Sequence, residues 1–415
     1  MRDDIFLPFM DNITHALAGA LLAEAAWQRV ARTPSPPPIA FRATAYTLAI
    51  VLAELPDLDI IYSGDVLGIG PLGYLLHHRG HTHTVIFTIL AGLAAWGVTL
   101  LVRRELRAPP WSRTLLGLSL IASLSHVALD YTNNYGVHPW WPLSARWIYG
   151  DAVFIVEPWL WIVALGPLLF IARGGIGRLL SAVLLLTILV AAWRVDMVGH
   201  SVAMVLTIGA IVWTLVSWKL APSRRAAVAL AAWGAFEAIS FTSSALGRRA
   251  VEQAVGAPLR DAVLTPAPGN PLCLAAIVVT EHDGTYSATT ATVAPVPALL
   301  SAGACGDVRR GDASRSTRAA HSDSPAIGWG RTWSAPVAEL RALAAERCEL
   351  AAALEFIRVP VWERGANGVV TMYDLRFGSG EGSFTTVVSR PGAACPRWVP
   401  GWGKPRGDVL GESAP

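Results

Sequence analysis

The stretch Leu75–Arg104, LLHHRGHTHTVIFTILAGLAAWGVTLLVRR, decides the fold. It opens with His77, His78, His81 and His83, four of the ten histidines in the chain. From Val85 to Val102 no charged residue interrupts it, and Arg103 and Arg104 close it. Crossing a hydrocarbon layer of about 30 Å takes ~20 apolar residues in a helix. The run 85–102 therefore reads as a membrane helix with metal-seeking imidazoles at its mouth.

Outward from this stretch, further apolar blocks recur at 13–31, 43–55, 115–129, 153–172, 179–193, 202–218 and 226–246. The blocks at 85–102, 153–172, 179–193 and 202–218 reach or approach spanning length. Those at 13–31 and 43–55 are marginal, suited also to re-entrant or interfacial positions. The pattern predicts a mostly α fold: a polytopic membrane bundle of eight helices, with seven to nine allowed. The membrane domain is expected over 1–247, a linker over 248–269 and a soluble α+β domain over 270–415. Composition agrees: 53% of residues are hydrophobic and only 15% charged, against roughly 25% charged in soluble domains. The 17 tryptophans suit a chain that meets the bilayer interface. The net charge of +3 reflects arginines in loops, and no basic stripe points to nucleic acid. The acidic start, MRDDIFLPFMDNITH, does not read as a cleavable signal, and Met10 would begin the chain as well as Met1.

Alternating helices sort the loops onto two sides. One side collects Arg29, Arg32, Arg42, Arg103, Arg104, Arg107, Arg113, Arg173, Arg178, Lys219, Arg224 and Arg225. The other collects fewer arginines together with Asp57, Asp59, Asp65, Asp151 and Asp196. The bias of lysine and arginine toward the cytoplasm places the first set inside. The N-terminus and the soluble domain then face outward. All four cysteines, Cys273, Cys305, Cys348 and Cys395, lie in the soluble domain. An even count in an exported domain suggests up to two disulfides, with three pairings open.

On this topology the unusual polar residues share one depth. Asp11 and His15 sit one helical turn apart at the outer end of the first helix. Glu54, Asp57 and Asp59 end the second, where Pro56 stops helical hydrogen bonding. The histidine cluster opens the third. His126 and Asp130, in SHVALD, lie one turn apart inside the fourth. Asp151 and Glu157 open the fifth. Ionisable groups at membrane depth are costly and mark function. Imidazoles with carboxylates suit a divalent metal, zinc first, with manganese or iron as alternatives. The expected ligands are His15, Asp57, His78, His83, His126 and Asp130. Asp59, Arg79 and Glu157 are the candidates for catalytic roles. Arg79 suits either two-point anion binding or a pair with Asp57. His81 is left out of the ligand set, and His138 reads as a loop residue near the interface.

The ordered segments MDNITHALAGALLA, LPDLD, HHRGHTHT, SHVALDYTNNYGV and RWIYGDAVFIVEPW resemble the prokaryotic integral membrane proteins described as metal-dependent hydrolases, also called LexA-binding, inner-membrane-bound hydrolases. The resemblance is close over roughly residues 10–170. The family pattern falls on Asp11 and His15, on Pro56, Asp57 and Asp59, on His78, Arg79, Gly80, Thr82 and His83, and on His126 and Asp130. It implies a multi-pass protein of the bacterial inner membrane that uses a bound metal to activate water. A site near the outer membrane surface suggests a lipid or phosphoester substrate. The alternative is a non-catalytic metal-binding membrane protein, a sensor, scaffold or transporter, presenting the soluble domain. Few polar residues in the sixth and seventh helices and no internal repeat count against transport.

In the soluble domain, 272–280 and 286–293 read as strands joined at Asp283-Gly284. Pro336–Cys348 reads as an amphipathic helix. Residues 356–362, 369–377 and 384–388 read as three more strands, and 301–323 as a loop. The domain is expected to cap the membrane site, bind a partner or stand as a passive sheet domain.

Overall fold

The computed structural model describes residues 7–63, 72–306, 316–378 and 383–411, with side chains from Asn12 on. Asp65 and the side chain of Asp11 lie outside the described residues. Among those described, eight helices of 14 residues or more precede residue 256. They are α1 (Leu7–Val30), α2 (Ala40–Glu54), α5 (Val85–Val102), α6 (Trp111–Tyr131), α7 (Pro158–Ile171), α8 (Gly175–Arg194), α9 (His200–Lys219) and α10 (Arg225–Val255). Two short helices, α3 (Ile60–Ser63) and α4 (Gly73–His77), lie between α2 and α5. Of the eight, α5, α6, α8, α9 and α10 are long and apolar enough to cross a membrane.

The bundle is inverted relative to a soluble protein. Ile86, Leu90 and Leu101 of α5, Ile176, Leu179 and Leu186 of α8, and Val205, Ile208 and Ile211 of α9 point outward. Lipid is the solvent such faces require. The core carries α7 almost whole: Leu160, Trp161, Ile162, Ala164 and Leu165 are buried. The block 153–172, expected to reach or approach spanning length, forms a shorter helix. Pro158 occupies the first turn of α7, and Glu157 caps it by accepting from Trp159 N–H. A residue before proline is pushed out of helical geometry. The remaining 14 residues span ~21 Å at 1.5 Å each.

The two ends of the bundle differ in chemistry. At one end Arg32 donates to Ser223 O, Arg42 to Glu24 and Ile171 O, and Arg225 to Phe170 O and Ser217 O. The arginine-bearing loops grouped from the sequence thus meet physically. The histidines and aspartates lie at the other end. There α10, ~46 Å long for its 31 residues, outreaches the hydrocarbon layer and runs into the soluble domain.

Residues 248–269, expected as a linker, form the last turns of α10, a short turn and strand β1 (Leu259–Ala267). Neither β1 nor the strand at Ile327–Pro336 was legible from the sequence. Asp261 and Pro266 interrupt the first, and glycines and a proline dilute the second. With β2 (Asn270–His282), β3 (Thr285–Val293), β4 (Thr317–Arg318) and β5 (Ile327–Pro336), β1 forms an antiparallel sheet of order β1-β2-β3-β5-β4. Asp283 and Gly284, both at positive φ, make the expected turn between β2 and β3. Helices α11 (Val337–Glu346) and α12 (Cys348–Ala353) pack beside a second sheet of β6 (Pro360–Arg364), β7 (Val370–Asp374) and β8 (Val387–Ser389). These last strands are shorter than the sequence suggests, because the turn after α12 takes the start of the first run and Leu375–Phe377 the end of the second.

Two disulfides close the domain, Cys273–Cys305 and Cys348–Cys395, settling one pairing of the three. They bridge separations of 32 and 47 residues. Constraining unfolded loops of that length stabilises by about 4 kcal/mol each. Reduction of the purified protein is therefore expected to lower the melting temperature of the soluble domain, read by near-ultraviolet circular dichroism with and without reductant. An unchanged melt would show that the bridges add nothing.

Candidate metal centre

The site starts from the way α2 ends. Pro56 sits in the first turn of a 3-10 segment, Leu55–Asp59. At three residues per turn, Asp57 and Asp59 leave this segment in different directions. Asp57 faces α6, and Asp59 faces the loop after α4. That loop turns tightly at Gly80, where a Cβ would lie 2.8 Å from His77 O and 3.2 Å from Trp402. Arg79 precedes it at φ 58°, a left-handed conformation that an L side chain adopts only when its surroundings impose it. The 3-10 turn His81–His83 then delivers His83 inward. Thr84 caps α5 by accepting from Phe87 N–H. On α6, His126 and Asp130 stand one turn apart on the same face.

Four atoms converge. His83 Nε2 lies 3.0 Å from His126 Nε2, 3.2 Å from Asp57 Oδ1 and 3.1 Å from Asp130 Oδ2. His126 Nε2 lies 3.4 Å from Asp57 Oδ1 and 3.3 Å from Asp130 Oδ2. For a tetrahedral ion with bonds of about 2.0–2.1 Å, ligand–ligand edges are ~3.3 Å. The hydrogen bonds fix the tautomers. His126 Nδ1 faces Ala53 O, which only accepts, so Nδ1 carries the hydrogen. His83 Nδ1 lies 3.3 Å from Asp59 Oδ2 and 3.0 Å from Thr82 Oγ1, whose own hydrogen goes to Asp59. In the neutral rings both Nε2 lone pairs therefore point at each other and at two carboxylates. One added proton can lie on only one of these contacts at a time. A divalent cation answers all four atoms and cancels both carboxylate charges.

The outer layer orients these four. Asp59 accepts from His78 Nδ1 at 2.9 Å, Arg79 N–H at 3.0 Å and Thr82 Oγ1 at 2.9 Å, besides holding His83. Burial raises the Asp59 carboxyl, but the bonds from His78 and His83 outweigh it and hold the group below the usual carboxylate range. Asp130 turns its other oxygen to Arg79 Nη2 at 2.9 Å and His15 Nε2 at 3.3 Å. His15 also stacks on His126 with ring centroids 3.9 Å apart.

The expected ligands thus divide. Asp57, His83, His126 and Asp130 share the centre. His15 reaches it through Asp130 and the His126 ring, and His78 through Asp59; a second grouping of Asp57, Asp59 and His78 lies alongside. Arg79 pairs with Asp130 rather than Asp57, because its guanidinium is drawn toward Asn133 Oδ1 and over the Tyr135 ring. Glu157 is engaged elsewhere: its carboxylate accepts from Trp159 N–H and Gly269 N–H at the β1–β2 hairpin, and burial pushes it up to about 8. His138 is a core residue, stacked on Trp402, packed against the tilted Trp147 ring and bonded to Arg79 O. Three contributors were missed. Asn12 donates to both Asp57 and Glu54, while Asn133 and Tyr135 hold Arg79. All three stand inside the quoted motifs, which is the signal that could have found them.

The soluble domain builds the far wall of this site. Trp402 Nε1 donates to Leu76 O at 2.7 Å. Buried Arg376 donates to Asn134 O and Tyr135 O. Phe356, Phe377 and Phe384 pack around Tyr135. Arg358, paired with Asp151 and Asp261, ties the loop before α7 to β1.

No curated protein and no solved structure matches the chain. Residues 10–197, which carry all four converging side chains, match the model of the YdjM inner membrane protein family, so this part of the chain is similar to a family of prokaryotic inner-membrane proteins.

Proposed function

We propose that the chain is a multi-pass metal-dependent hydrolase of the bacterial inner membrane. Its ion, zinc first with manganese or iron as alternatives, is held by Asp57, His83, His126 and Asp130. The observation that carries this reading is the set of four lone-pair atoms at 3.0–3.4 Å. Such an ion, when bound, lowers the pKa of a coordinated water to about 7 and so supplies hydroxide at neutral pH. The chain's own groups do the rest. Asp59 orients His83 through Nδ1. Arg79 holds Asp130 and places a guanidinium beside any anionic substrate. Asp57 has a side-chain exposure of 12%, against 0–1% for the other three, and marks the side from which water and substrate arrive. Leu58 and Ile61, both more than half exposed, flank that side with apolar surface. An amphiphile, a lipid or lipid-linked phosphoester, fits a site so bordered.

The arginine-rich end of the bundle faces the cytoplasm in this reading. The metal centre and the soluble domain then face outward, where the two disulfides persist. One observation favours a second reading: four protein ligands make a closed tetrahedron, the form of structural sites. The chain would then be a non-catalytic metal-binding membrane protein presenting its soluble domain. The test is turnover of a fluorogenic phospholipid and of p-nitrophenyl phosphate by the detergent-purified chain. It is run metal-stripped and then reloaded with zinc or manganese. Metal-restored hydrolysis that His126→Ala abolishes is the expected result. Tight metal binding without turnover of either probe would favour the structural site.

A further inference from the structure

Two surface segments outside the metal centre, joined backbone to backbone, each present large apolar side chains. Loop 139–146 and segment 398–403 join where Gly403 N–H donates to Ala145 O at 3.0 Å. Both turn one tryptophan inward onto His81, Trp141 at 4.6 Å and Trp402 at 4.9 Å between ring centroids. Both turn others outward. Leu143 is 93% exposed, Trp398 76% and Trp140 56%, with Val399 beside them. Trp398 is at φ 61°, and its backbone is hydrogen-bonded to His77. The ring is therefore held out by a fixed backbone rather than by a floppy end. Arg146 and Arg397, both exposed, flank the patch.

The height of the patch is fixed by a single bond: Val85 N–H, at the first residue of membrane helix α5, donates to Pro139 O at 3.0 Å. Residues 140–143 thus begin beside the first turn of a membrane helix, whose Ile86 and Leu90 are themselves exposed. Tryptophan rings with flanking arginines are the composition of the bilayer interface, where ring bodies meet acyl chains and guanidiniums meet phosphates.

We propose that Trp140, Leu143, Trp398 and Val399 form an interfacial anchor, set into the headgroup layer of the leaflet that borders the metal centre. The soluble domain then rests on the membrane rather than standing clear of it. This goes beyond the hydrolase reading and stands or falls without it. The test exploits the cysteines, all of which are bridged. Leu143→Cys and Trp398→Cys each add one labelling site to the full chain, and Asp283→Cys, in the exposed β2–β3 turn, serves as control. Each carries an environment-sensitive fluorophore in phosphatidylcholine vesicles doped with doxyl lipids. Proteins are accepted for measurement only with both disulfides intact. The expected result is severalfold stronger quenching at Leu143 and Trp398 than at Asp283, greatest with the doxyl group near the headgroup. Quenching at both positions no stronger than at Asp283 overturns the proposal. So does shielding from aqueous iodide without lipid quenching, the signature of a patch covered by protein.

Discussion

The double variant His126→Ala, Asp130→Ala is expected to lose its metal. These two residues supply two of the four converging atoms from one helix face. Their removal leaves Asp57 and His83 of the four, and the neighbouring described groups are engaged elsewhere. His15 stacks flat on the His126 ring, and Asp59 is occupied by four donors. Asp59→Asn is the graded comparison. It keeps all four ligands but removes the negative charge and one of the two acceptor oxygens that hold His83 and its neighbours, and losing such an outer partner costs roughly 10–100-fold in metal affinity. The double variant should fall well beyond that range. Metal per chain, measured by elemental analysis after dialysis against a competing chelator, decides it. A double variant as metal-rich as the parent would end the reading of the four-atom centre, whatever hydrolysis assays return.

The second large effect lies at the seam between membrane helices and soluble domain. Arg358→Ala is expected to undock the domain. Arg358 bonds Asp151 through Nη1 and Nη2 at 2.8 and 2.9 Å, bonds Asp261 through Nε at 2.8 Å, and lies over the Tyr149 ring. Its removal takes the bidentate partner from two buried carboxylates and leaves them to the part-exposed Arg248 and, for Asp261, Arg406. Breaking a buried pair from one side costs about 3–5 kcal/mol. Burial raises the Asp261 carboxyl, but Arg358, Arg406 and Arg248 outweigh it and hold the group well below the ordinary carboxylate range. A depressed folded value stabilises fully above the unfolded value of about 3.9 and is lost as pH falls through the folded one. The parent should therefore stay docked through mild acid and release only in strong acid, whereas Arg358→Ala should release already near neutrality. Protease accessibility of the Gly256–Pro258 turn, followed against pH, reads this directly. Equal cleavage of parent and variant at neutral pH would show that the ion cluster does not hold the seam.

Much of the architecture was written locally. Eight apolar blocks became eight helices, because withdrawing apolar side chains from water depends on composition and period along one segment. The His126/Asp130 pair was legible for the same reason: two ionisable residues one turn apart in an apolar helix have no inexpensive alternative use. The strands at 270–282 and 285–293 followed from β-branched runs around an Asp-Gly turn. The strands at 259–267 and 327–336 did not, because their pairing energy comes from neighbours rather than from their own residues.

What the sequence by itself determined is the class of molecule and the kind of atom at its centre: a helical membrane bundle with imidazoles and carboxylates at one end. Only the tertiary structure decided which of those side chains meet. Asp57 and Asp59 differ by two positions, and the phase of one 3-10 segment after Pro56 sends the first to the centre and the second behind it. His78 and His83 are divided by the turn at Gly80, which closes against Trp402 from the far end of the chain. The pairing of Cys273 with Cys305, and of Cys348 with Cys395, was fixed by the same kind of contact. Such contacts join residues tens to hundreds of positions apart, and their free energy exists only once the intervening chain has packed.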